Sequence, residues 1–257
     1  MHFHLPKPLH GWREFAGEVA IIVLGVLIAL GAEQVVETIH WRKQVGEARH
    51  AMSSELGDSI GQSFERQRLF PCIERRLNEI SRLLDAAEKS GRLPPLGEIG
   101  APPYRTWIHG TWDTTRQGQT ASHFSRTELT NLAAIYEFVD NIDRVALPEQ
   151  SAWAEIATVS GPGRAIQPAE VVQLRLAVNQ ARVLNRETAV ASIRLRQVAE
   201  DAHIDIDAET VKSDNNRPVS QYSICSPIPK QVPEAYAFAP MASNLTATLQ
   251  NPLRAWK

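Results

Sequence analysis

The apolar positions follow different rules along the chain. From Val19 to Ala32 there is no period, because VAIIVLGVLIALGA is fourteen residues without a charge, bounded by Glu18 and Glu33. From Trp41 to about Ser90 apolar residues recur at every third or fourth position, through Val45, Ala48, Met52, Leu56, Ile60 and Phe64, then Ile73, Leu77, Ile80, Leu84 and Ala87. That is the spacing of an amphipathic helix. Pro71 separates the two runs and predicts either one bent helix or two. Gly91 is a natural stop, and Pro94, Pro95, Pro102 and Pro103 predict extended loop backbone, so residues 91–124 carry no clear period.

Ser125-Arg126-Thr127-Glu128 then reads as a capping box, opening a helix whose inner face is Leu129, Leu132, Tyr136 and Val139 and which ends near Asp143. Pro148 opens a shorter helix carrying Trp153 and Ile156, closed by Gly161-Pro162-Gly163. Pro168 stands at the first position of the longest clean helix, with Val171, Leu174, Val178, Ala181, Leu184, Thr188, Ala191, Leu195 and Val198 at heptad-like spacing. After His203 the period fails. Pro218, Pro227, Pro229, Pro233, Pro240 and Pro252 predict an irregular tail.

The charge-free run covers only about 21 Å as a helix, short of the roughly 30 Å hydrocarbon core, so its flanks must contribute. Phe15, Ala16 and Gly17 extend it on one side and Val35, Val36, Ile39 and Trp41 on the other, with Trp12 and Trp41 suited to the two interfaces. A signal peptide is the competitor, but no small-x-small exit follows and the helical pattern runs on through Glu37 and Trp41. The expected organisation is a short leader over 1–14, a transmembrane helix over 15–36, a helical body over 37–211 and a Pro-rich tail over 212–257 that packs on the body. The fold class is mainly α: one transmembrane helix continuing into a bundle of about four helices.

At 100° per residue, Gly25, Ala29 and Ala32 lie within about 40° of the direction of Glu18 and form a narrow stripe of small residues headed by an acid. Small residues let helix backbones approach closely in lipid, which suits contact with another subunit or a second copy. The alternative is that Glu18 only marks the interface. The run from Gly17 through Leu30, with its Gly-Glu, aliphatic stretch and Gly25-Val26-Leu27-Ile28-Ala29-Leu30, resembles the start of a group of uncharacterised bacterial single-span proteins. Many of those continue with Gln, Asn, Trp and Glu, whereas this chain has Gly31-Ala32-Glu33-Gln34-Val35-Val36-Glu37, as in a divergent branch. The resemblance implies a bacterial inner-membrane anchor on a helical protein and brings no activity with it.

Charge counting does not orient the span: Lys7 and Arg13 precede it, and Arg42, Lys43 and Arg49 follow it among Glu37 and Glu47. A short leader before one early span behaves as a signal anchor and places the body in the periplasm. The two cysteines, Cys72 and Cys225, fit one long-range disulfide in an oxidising compartment, the alternative being two separate thiols.

Composition changes little in this picture. With 27 Lys plus Arg against 29 Asp plus Glu, the net charge of -2 provides no basic field, so no nucleic-acid partner is expected. No Gly-x-Ser-x-Gly, Walker or His-Glu-x-x-His motif is present, which points away from an enzyme, and no cofactor is implied. The N-terminal His2, His4 and His10 read as part of a flexible leader. His203, Asp205 and Asp207 would share one face if extended, but a single local triplet lacks the ligands of a metal site and a polar helix end explains it equally well. Trp107, His109, Trp112, Asp113 and Arg116 cluster in the aperiodic region, where they form either a ligand pocket or a lid on a small core. The expected function is a structural or accessory subunit of a membrane assembly, whose partners are the bilayer and other subunits or a second copy. The alternative is a membrane-anchored sensory or small-ligand-binding domain.

Overall fold

A computed structural model describes residues 11–215 and 217–230. The three histidines His2, His4 and His10, and the prolines Pro233, Pro240 and Pro252, lie outside the described residues. Five α-helices are found among the described residues: α1 (Trp12–Ser90), α2 (Gly110–Gln117), α3 (Arg126–Ile156), α4 (Pro168–Asp201) and α5 (Ala208–Asn215). Two short strands, β1 (Arg92–Leu93) and β2 (Arg164–Ala165), pair antiparallel and are extended by a bridge between Leu96 and Gly161. The mainly helical class, with a long N-terminal apolar helix leading into a bundle, is therefore the observed one.

Neither internal proline breaks its helix. α1 runs unbroken for 79 residues through Pro71, and α3 for 31 residues through Pro148, so the expected helix end near Asp143 and restart at Pro148 are corrected to one helix. Both prolines are exposed, so the carbonyls that lose their helical donor, those of Gln67 and Arg144, lie on the outer side of the helix within reach of water. The capping box is half realised. Ser125 Oγ accepts the Glu128 N–H at 3.2 Å, but the Glu128 carboxylate takes a two-pronged bond from Arg49 on α1, at 2.6 and 2.8 Å. Tertiary charge pairing thus replaces the second local bond. α2 and α5 were not visible in the periodicity, being eight residues each and mostly polar. Asp207 starts α5 by accepting the Glu209 N–H at 3.0 Å and the Thr210 hydroxyl at 2.6 Å.

From Trp12 to His40 every described side chain of α1 is exposed, and Val45 is the first buried one. This helix is long and apolar enough to cross a membrane. Below it, α4 packs closely on both α1 and α3, whereas α1 and α3 meet chiefly through long side chains. The apolar interior forms two clusters. One gathers Val45, Met52, Leu56 and Ile60 with Leu132, Ile135, Tyr136 and Val139 of α3 and Leu195 of α4. The other gathers Leu69, Ile73, Leu77, Ile80 and Leu84 with Trp153 and Ile156 of α3 and Val171, Leu174 and Val178 of α4. Between them lies a layer of buried polar side chains: Ser63, Glu65, Arg66, Glu149, Asn185, Thr188 and Ser192.

The described part of the tail runs back along α1. A disulfide joins Cys72 to Cys225, residues 153 apart in sequence. One turn further along α1, the fully buried Arg76 donates to the carbonyls of Ile99, Ile224 and Ser226. Gly100 holds φ +70°, and a Cβ there would come within 2.7 Å of the Ile224 backbone nitrogen, so the loop and tail can lie this close only at a glycine.

Candidate functional site

A gap between α1 and α3, which meet through long side chains, becomes the candidate site. On α1, Gln62, Glu65, Arg66 and Leu69 repeat at three and four and so share one face. On α3, Ile142, Ala146, Glu149 and Trp153 do the same, with Ala157 just past the helix end. Alanines at positions 146, 154 and 157 leave room, and the segment Ala101–Arg105 with Trp107 forms a further wall of a partly open cavity of about 270 Å³. Thr188 of α4 closes its floor.

The charges on its wall are paired. Arg66, 7% exposed, binds Glu149, 8% exposed, and also donates to Asn185 Oδ1 at 3.1 Å, while Asn185 Nδ2 donates to Glu74 at 3.0 Å. Arg105 forks onto both oxygens of Glu65, each at 2.7 Å, and the Tyr222 hydroxyl from the tail donates to the same carboxylate. Burial pushes the Glu65 carboxyl up, but the hydrogen bonds from Arg105 and Tyr222 and the charges of Arg105 and Arg217 outweigh it and hold it below the usual carboxylate range. Burial and the bond to Glu65 push the Tyr222 hydroxyl up. Two N–H groups of lining residues, Trp153 Nε1 and Arg66 Nε, are buried without a hydrogen-bond partner among the described residues, and so is the acceptor Gln62 Oε1. Most of the remaining wall is apolar. The arrangement can hold a small molecule; it brings together no nucleophile with a base.

Of the five loop residues picked out in the sequence, the structure brings Trp107 alone to this wall, at 5% exposure. Trp112 stacks on Tyr136, ring centres 5.3 Å apart, and Tyr136 donates to the buried Glu55 at 2.7 Å while the Thr111 N–H donates to the same carboxylate at 2.9 Å. This fastens α2 to α1 and α3. His109 Nδ1 lies 2.7 Å from Asp113 Oδ2, with Arg116 Nε donating to Asp113 Oδ1 at 2.8 Å and Asp140 3.7 Å from the far side of the imidazole. Burial pulls the His109 imidazolium down, but the Asp113 bond and the charges of Asp140, Asp113 and Asp143 outweigh it, and the net shift is upward. Asp113 is lowered, first by the bond to His109 and then by Arg116. These four residues form a surface ion network at α2. Sequence reasoning missed Arg66, Glu149 and Trp153 as a group, since they come from distant segments and each sits on an ordinary helical face.

His203 adopts φ 52° and its Nδ1 lies 2.8 Å from the Asp201 carbonyl, while Asp207 is engaged in starting α5. No group of three or more metal-ligating side chains occurs among the described residues. Glu18, Gly25, Ala29 and Ala32 all lie on the exposed part of α1, and a Cβ at Gly25 would meet nothing within 4 Å. Compared with known proteins, the chain matches no family model, no curated protein and no solved structure.

Proposed function

We propose that the chain is an accessory subunit of a bacterial membrane assembly, anchored in the inner membrane by the first part of α1 and carrying its body in the periplasm. One observation carries the reading: α1 leaves the body as a helix exposed from Trp12 to His40 and apolar on every side from Val19 to Ala32, a surface with no covering partner among the described residues. Lipid satisfies most of such a surface, and a stripe of small residues offers a neighbouring helix close backbone approach. Placing the body in an oxidising compartment is supported by the joined Cys72 and Cys225. Purification in mild detergent with mass spectrometry tests the assembly. Gly25→Leu or Ala29→Leu should release the partner or the second copy while insertion stays intact, and Leu24→Ile should not. Unchanged co-purifying species and native mass would make the span a passive tether. A C-terminal reporter active only in the periplasm should give signal, and a cytoplasm-only reporter lighting up would reverse the topology.

A second reading, a membrane-anchored ligand-binding domain, is favoured by the cavity between α1 and α3, whose wall combines aromatic surface with unpartnered donors.

A further inference from the structure

We infer that the cavity between α1 and α3 takes a small, electrically neutral molecule with an aromatic or alicyclic body and a carbonyl oxygen, an inference that rests on the ligand-binding reading above. The volume, about 270 Å³, lies just under the usual range for small-molecule sites, which limits the occupant to something the size of a substituted ring. Trp107 and Trp153 supply flat apolar wall, with Leu69 and Ile142 beside them. The half-exposed Tyr104 and the exposed Gln150 mark the mouth.

Neutrality follows from the charges. Both lining arginines are already matched, Arg66 with Glu149 and Arg105 with Glu65. An anionic ligand would add a negative charge, and a cationic one a positive charge, to a wall whose own charges already cancel in pairs. Either brings a charge out of water with no unpaired counterion on the wall to meet it, a heavy penalty. A neutral molecule disturbs neither pair.

The carbonyl follows from the donors. Trp153 is 3% exposed and Arg66 7% exposed, and the Nε1–H of one and the Nε–H of the other lack partners among the described residues although both side chains line the same cavity. Buried N–H groups are normally hydrogen-bonded, and an unanswered one is destabilising. A carbonyl oxygen is an acceptor and can answer such a donor, whereas a hydrocarbon of the same shape cannot.

The test uses the full-length protein in mild detergent with its tryptophan indoles labelled with nitrogen-15, the resonances of Trp153 and Trp107 being identified from Trp153→Phe and Trp107→Phe. The probes are acetophenone, ethylbenzene, benzoate and benzylammonium. Acetophenone should move the Trp153 indole proton downfield along a saturable curve. Ethylbenzene should bind at least tenfold more weakly and cause no downfield movement, and the two ions should bind more weakly than acetophenone. Ala146→Leu, which fills the cavity, should abolish the response in the same detergent, and Trp153→Phe should weaken acetophenone at least fivefold as read at Trp107. Saturable binding in which benzoate or benzylammonium is preferred, or in which ethylbenzene matches acetophenone, overturns the ligand class and leaves the pocket standing. Linear, unsaturated responses to all four probes overturn both the class and the ligand-binding reading. The ranking of probes on the unsubstituted protein decides the matter even if Ala146→Leu does not fold.

Discussion

Between Val19 and Leu30, α1 carries apolar residues on every side and all of them are exposed; between Met52 and Leu84, it carries Met52, Leu56, Ile60, Leu69, Ile73, Leu77, Ile80 and Leu84 on one face and all of these are buried. One backbone serves both stretches, so the difference lies in the surroundings each was built for. A helix with a single surrounding medium needs no period, and a helix with neighbours on one side must show one. Within the second stretch a further contrast appears, because the apolar face is interrupted at Ser63, Glu65 and Arg66, where the opposing helices are also polar. α1 therefore passes from a uniform surface to a one-sided one, and its buried side alternates between apolar clusters and a charged waist.

Breaking the waist should have the largest effect. Arg66→Leu leaves Glu149 buried without its cation, and removal of one member of such a pair destabilises by about 3–5 kcal/mol. Arg66→Leu with Glu149→Leu removes both charges and should recover most of that loss, since a buried ion pair often contributes little over an apolar replacement. Denaturant midpoints of the two variants check the point. A double variant no more stable than the single one would mean that the waist is held by its wider network through Asn185 and Glu74 and not by the pair.

The two stretches of α1 can be set against each other directly. Leu77→Ala, at a fully buried position, should destabilise the body by about 2–5 kcal/mol. Leu24→Ala, at an exposed one, should stay within about 0.5 kcal/mol. Equal effects in urea unfolding followed by circular dichroism would mean that the first stretch packs on the body, contrary to its exposure.

Much of this division was legible in the sequence, and the reasons are local. The repeats at Val45–Ala87 and Val171–Val198 mark faces of single helices, and the charge-free run needs no partner to be recognised. Pro148 misled and Pro71 left one helix or two open, because a proline's effect depends on whether the carbonyl four residues earlier can reach water, which only the burial pattern reveals. Glu128 was assigned to its own helix end, yet Arg49, 79 residues earlier, offers it an ionic bond. The cavity was least legible of all. It exists because α1 and α3 are held apart, and no stretch of sequence records the distance between two helices. Trp107 was singled out for lying in an aperiodic region, whereas Arg66 and Trp153 looked like ordinary helical residues.

The described part of the tail sharpens the contrast between the stretches, being fastened to the buried one. Replacing Cys72 and Cys225 together by serine should lower stability by about 2–4 kcal/mol, as loss of a long-range crosslink does. Arg76 still holds the Ile224 and Ser226 carbonyls in that variant, so the 217–230 segment should stay resistant to limited proteolysis until Arg76→Met is added. Cleavage there in the double serine variant alone would assign the docking to the disulfide.

The smallest effect expected belongs to the body's outer surface, where His109 and Asp113 meet. A histidine whose native pKa is raised binds its proton more tightly when folded, so it contributes stability fully below its unfolded value of about 6.5 and loses that contribution as pH rises through the native one. Asp113, lowered by the same contact, contributes above its unfolded value of about 3.9 and loses this as pH falls through its native value. Both contributions are present together between about pH 4 and 6.5. The pair is partly exposed and screened, so the thermal midpoint of the unsubstituted protein should exceed that of His109→Gln by only about 1–2 °C near pH 5.5. The gap should narrow towards pH 9, with a remainder because the neutral imidazole still bonds to Asp113. A gap that is constant from pH 5.5 to 9 would show that His109 holds α2 through packing alone, and the ion network around Asp113 and Asp140 would then have no part in fastening that helix to α3.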